Sequence, residues 1–182
     1  MRATTRSSAP AALHPFYDGW ADHQRRLLAC IGPLTDDQVR LRPGHGGWAI
    51  WQLASNMAGG RAHWFHDVLG EGDAAVRGMF RVASTTVPGL PLEDAGWEDD
   101  EDHPRSAAEL VVAFERTWRV IADCLGRWTE QDLLVEFTRH RPGRVQTVTR
   151  AWVIWHVIEH ELQHGAEIAL ILRANALPSL DL

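Results

Sequence analysis

Residues 147–174 read TVTRAWVIWHVIEHELQHGAEIALILRA, with apolar residues recurring three and four apart, which predicts a long helix from about Thr147 to Ala174. Each residue advances an α-helix by about 100°, so His156, His160 and His164 share one face of it. Glu167, seven residues beyond His160 and about 20° off it, extends the row. Imidazoles four residues apart can both reach one metal ion. Three in register cannot, because the outer pair lies about 12 Å apart along the axis. One of the three must orient a neighbour, pack in the core or face solvent.

Residues 160–164, HELQH, also match the HExxH pattern of zinc proteases. The residues C-terminal to this motif exclude protease chemistry. The longer protease pattern needs a further His six residues on, or a Glu from a later helix. Position 170 is Leu, position 167 is Glu where the pattern wants Gly, and the chain ends at Leu182, too soon for another ligand helix. Glu161 lies about 100° round the helix from His160, a position equally compatible with solvent.

The 182 residues suffice for one domain with a sizeable core, and the 45% hydrophobic and 23% charged content is that of a globular protein. A net charge of −6 with scattered arginines argues against nucleic acid or an acidic membrane surface as a partner. No run approaches 18 apolar residues, so no membrane span is expected. Residues 1–12 read as a flexible tail, not a signal peptide. Cys30 and Cys124 sit in apolar helical runs, as small core residues of a reducing cytoplasm would. Nine tryptophans against one tyrosine predict a core of large flat rings, each indole N–H wanting an acceptor.

Three further segments carry helical periodicity: about His14 to Ile31, about Trp48 to Leu69, and from Ser106, where SAAE is a capping box, to about Trp128. Capped helical turns are expected in LTDDQVRLRP (34–43) and WTEQDLLVEF (128–137), giving a weak internal repeat of helix, capped turn, helix. Residues 70–105, rich in Pro, Gly and acid, read as a long crossover, with the acidic run Glu98 to Asp102 a solvated loop face. Such a crossover lets helices two and three run parallel. The expected fold is therefore all-α: a single four-helix bundle, up-down-down-up, over residues 1–182.

The chain resembles the DinB superfamily (DinB/YfiT-like proteins) over nearly its whole length. The markers are WxxWQLA (48–54), AGGRAHWFHDVLGEGD (58–73), GWEDDEDHPRSAAELVVAFERTW (96–118), RWTEQDL (127–133) and, above all, HELQHGAEI followed by LILRANALP. The resemblance implies a homodimer and a divalent metal, zinc or nickel, held by one histidine of helix two and a paired histidine motif on helix four. The pair carries over to His160 and His164, with Glu167 at the usual acidic position. The helix-two ligand falls at position 56, which is Asn56 here. An amide oxygen is a weaker zinc ligand than imidazole, so the site is expected to be weakened or altered.

The resemblance further implies Lewis-acid chemistry on a small-molecule substrate, with transfer of a low-molecular-weight thiol or hydrolysis as the reaction. His156 and Glu167 are then the candidate proton carriers or orienting groups. The rival expectation is a metal-free, non-catalytic bundle, stress-related or small-molecule-binding.

Overall fold

The computed structural model describes residues 14–44, 46–80, 104–141 and 144–180. The expected tail (1–12) and the acidic run Glu98 to Asp102 lie outside these residues. What is described is mostly helical. In chain order the elements are α1 (His14–Ile31), α2 (Asp36–Val39), α3 (Ile50–Ala62) with a π-helical continuation His63–Val68, and α4 (Ala74–Arg77). After these come α5 (Ala107–Arg127), α6 (Glu130–Leu133), β1 (Glu136–Arg141), β2 (Arg144–Thr149) and α7 (Arg150–Ala174).

The helix starts match their capping residues. Ser106 Oγ accepts the Glu109 N–H at 3.3 Å while Glu109 Oε2 accepts the Ser106 N–H at 2.8 Å, a reciprocal box that starts α5. Thr35 and Thr129 close the same box with Gln38 and Asp132 at the two expected short turns. Within the expected crossover, Asp73 Oδ1 accepts the Ala75 and Val76 N–H groups and starts α4.

The all-α expectation needs correcting. Residues 136–149 form a two-stranded antiparallel hairpin, with Phe137 opposite Val148 and Thr138 opposite Thr147. Val145, Thr147 and Thr149 alternate along RVQTVT with Gln146 and Val148, and β-branched residues at that spacing suit a strand. The expected start of the last helix at Thr147 therefore moves to Arg150, with Thr149 Oγ1 capping the Trp152 N–H at 3.2 Å. The hairpin packs against the π-helical turn, where His63, Trp64 and Phe65 are buried in succession.

Among the long helices, α3 packs against both α5 and α7, and α1 packs against α5. Eleven residues of α3 are buried, which identifies it as the central helix. One apolar cluster gathers Leu27, Ile31, Leu53, Met57, Leu110, Phe114, Ile168 and Leu172; a second gathers Trp20, Phe65, Ile121, Trp128, Val153 and Val157. No helix among the described residues is long and apolar enough to cross a membrane.

Candidate functional site

The histidine row on α7 is half-buried and lies between aromatic side chains. Trp152 stacks on His156, ring centroids 4.7 Å apart and planes at 13°, and Trp64 meets the same ring edge-on at 4.9 Å. At the other end Trp48 stacks on His164 at 5.9 Å. His160 and His164 meet edge to face at 4.6 Å, whereas His156 stands 6.5 Å from His160. The structure thus brings two of the three histidines together and holds the third in an aromatic slot.

Helix α3 faces this pair. A methyl group placed on Gly60 would lie 3.5 Å from His160 Cε1, so the imidazole rests on the α3 backbone with little to spare. Asn56, half-buried, sits one turn before Gly60 on the same helix. Burial, helped by the neighbouring His164, pushes His160 down to about 4, so its ring is neutral at pH 7. His164 Nδ1 lies 3.3 Å from Glu167 Oε2. With the proton on Nδ1 that contact is a hydrogen bond, and it leaves the Nε2 lone pair available.

Glu161 occupies a position the sequence did not indicate. It is fully buried, and both oxygens are engaged: Arg61 Nε donates to Oε1 at 2.6 Å, and Arg61 Nη2 and Trp20 Nε1 donate to Oε2 at 2.7 and 3.0 Å. Arg61 also donates to Gln24 Oε1 at 2.6 Å and lies over the rings of Phe114 and Trp118. Solvent is excluded as its environment, and so is the role of a protease base. Trp20 and Phe114 come from different apolar clusters, so this ion pair joins the two halves of the core.

A second polar chain was also invisible in the sequence. Arg139 of β1 lies over Trp64 at 4.3 Å, and its Nη2 approaches His63 Nε2 at 3.4 Å; His63 Nδ1 in turn approaches Asp67 Oδ2 at 3.4 Å. Burial raises the Asp67 carboxyl, but hydrogen bonds from His63 and His66 and the Arg77 charge outweigh it and hold the group below its ordinary range. His63 and His66 therefore brace the wall that carries Trp64. The cysteines take no part. Both are buried and unpaired; burial raises the Cys30 thiol and pushes Cys124 up to about 12, so neither supplies a thiolate. The expectation for the tryptophans holds for Trp20 but not for Trp128, whose buried indole N–H finds no acceptor among the described residues.

Among the described residues no three His, Cys, Asp or Glu side chains are placed to hold a metal ion together. His160 and His164 lie side by side, and His160 rests on Gly60 of α3, one turn after Asn56.

The sequence profile described as "DinB family" matches residues 4–175. The chain belongs to the DinB family. No curated protein matches it. Its fold is similar to the crystal structure of a DinB-like protein from Bacillus cereus ATCC 10987, with a TM-score of 0.61 at 13% identity. The similarity covers 93% of this chain and 97% of the other, and at that identity it bears on the fold alone.

Proposed function

We propose that this DinB-family chain binds one divalent ion, zinc or nickel, through His160 and His164, with the Asn56 amide oxygen as a weak third donor. The proposed activity is that of a metal-dependent enzyme acting on a small molecule, either a small-thiol S-transferase or a hydrolase. The observation that carries the reading is the contact of His160 with His164 at 4.6 Å, with His160 resting on Gly60 of the helix that bears Asn56. A bound ion would act as a Lewis acid and make a thiolate or hydroxide available at neutral pH.

The chain's own residues divide the remaining work. Burial keeps His160 unprotonated and so able to donate its lone pair. Glu167 fixes the His164 tautomer through Nδ1. His156, held between Trp152 and Trp64 in line with the pair, is the group that can pass a proton to or from a substrate lying along the row. Trp48, Trp64 and Trp152 wall the row and restrict water. The thiol as co-substrate rests on the family resemblance, since none of the described residues specifies it. The four long helices are read as an up-down-down-up bundle, supported by the packing of α3 on both α5 and α7 and by the length of the crossover.

A second reading is favoured by the absence, among the described residues, of a third strong donor: a metal-free bundle that uses the aromatic-walled row to bind a small molecule without chemistry. Metal analysis of untagged protein separates the two. The enzyme reading expects zinc or nickel approaching one ion per chain, lost in His160→Ala. Negligible metal in wild type, unchanged by that substitution, overturns it.

A further inference from the structure

The outward side of α5 carries a stripe of its own. Ala108, Val112, Arg116, Arg119 and Asp123 follow one another at intervals of three and four residues. At about 100° per residue all of them lie within about 40° of Val112, whereas Leu110, Phe114 and Ile121 lie about 160–180° away. Those three are buried in the core, while Val112 is 45% exposed.

The stripe lines two adjoining cavities between α5 and the α4 region. The first, of about 530 Å³, has Ala75, Val76 and Val120 as apolar lining and the cations of Arg116 and Arg119 beside them. The second, of about 330 Å³, shares Arg116 and continues over Met79, Ala108, Val112 and Ala113. Both volumes fall in the range of about 300–1,000 Å³ usual for small-molecule sites. Their walls are held in place. A methyl group on Gly72 would lie 2.9 Å from Val120, so the entry to α4 rests closely on α5. Arg105 Nη2 donates to the Met79 carbonyl at 2.7 Å, which ties the start of α5 to the opposite wall. None of these residues belongs to the histidine row or to the tryptophans beside it.

The charges along the trough differ in how they are engaged. Asp73 accepts the Ala75 and Val76 N–H groups, Asp123 accepts from Arg127 Nε at 3.2 Å, and Glu109 accepts the Ser106 N–H at 2.8 Å. Among the described residues neither the Arg116 nor the Arg119 guanidinium has a hydrogen bond or ion pair. We propose that this trough binds a long-chain carboxylate, its head between Arg116 and Arg119 and its hydrocarbon chain running past Arg116 over Met79 and Val112. A guanidinium presents its N–H donors in a fork that a carboxylate matches. Each methylene fully buried along the chain raises affinity by up to about fourfold. An acidic peptide would meet the two cations and leave the apolar lining bare; a cationic amphiphile would do the reverse. Only an anion with an apolar body satisfies both. The proposal does not depend on any metal.

Calorimetric titration of the full chain with decanoate, below its micelle concentration, tests it, with far-UV circular dichroism to confirm the fold of each variant. One decanoate per chain is expected. Hexanoate, shorter by about four methylenes, should bind roughly tenfold more weakly or worse. Arg116→Gln and Arg119→Gln should each weaken decanoate roughly tenfold. Val112→Glu, which sets a carboxylate in the trough, should abolish binding, and His160→Ala should leave it unchanged. Neither decyltrimethylammonium nor an oligoglutamate peptide should displace decanoate. No saturable binding, binding indifferent to both arginines or to Val112→Glu, loss in His160→Ala, or displacement by either competitor each overturns the proposal.

Discussion

Replacing Glu161 by Gln separates the buried ion pair from the protease-like reading of HELQH. The carboxylate takes two short bonds from Arg61 and one from Trp20, and both charged side chains are 0% exposed. The substitution keeps the shape but leaves the Arg61 guanidinium as an uncompensated charge in the core. Breaking a buried pair in this way costs about 3–5 kcal/mol. For a chain of this length that lowers Tm by about 6–20 °C. Thermal and urea unfolding measure it directly. A double variant, Arg61→Met with Glu161→Leu, removes both charges and is expected to recover most of the loss. Metal content should be unchanged in every variant that folds. A Glu161→Gln protein within about 1 kcal/mol of wild type would refute the assignment of this pair as a structural brace.

The same geometry sets other outcomes. In chelator, His160 should make the folded state acid-sensitive: held at about 4 against an ordinary value of 6.5, it takes up fewer protons folded than unfolded. Its contribution to stability is then lost as pH falls from about 6.5 to about 4, reaching about 3 kcal/mol, and His160→Gln should flatten that part of the stability–pH curve. An unchanged slope contradicts the burial argument. Gly72 has φ +76°, and an added Cβ would lie 2.9 Å from Val120, so Gly72→Ala should cost about 1–2 kcal/mol in chemical denaturation; a neutral result contradicts that local geometry. Glu167→Gln weakens its hold on His164 and should lower zinc affinity roughly tenfold by calorimetry, with stability in chelator preserved. Equal affinity would remove Glu167 from the site.

Local signals carry far in this chain. The bounds of α1, the Ser106 box and the two threonine-capped turns are all readable, because each depends on residues three or four apart. The histidine row is readable for the same reason. The hairpin is not, because its short strands come after a capped turn and run straight into a long helix with no break in apolar character. Arg61 and Glu161 stand 100 residues apart, and nothing local says that α3 turns one toward the other. Arg139 reaches Trp64 and His63 across a similar gap. The histidine pair and the family are thus written in local pattern, and only the packing shows that the Glu of HELQH belongs to the core.

Zinc titration of Asn56→His against wild type, by calorimetry on chelator-stripped protein, bears on the metal centre most directly. If the His160–His164 pair faces α3 at position 56, a third imidazole should raise affinity roughly tenfold or more, and adding His160→Ala should abolish the gain. Unchanged affinity in Asn56→His would contradict the account, because Asn56 would then not face the pair.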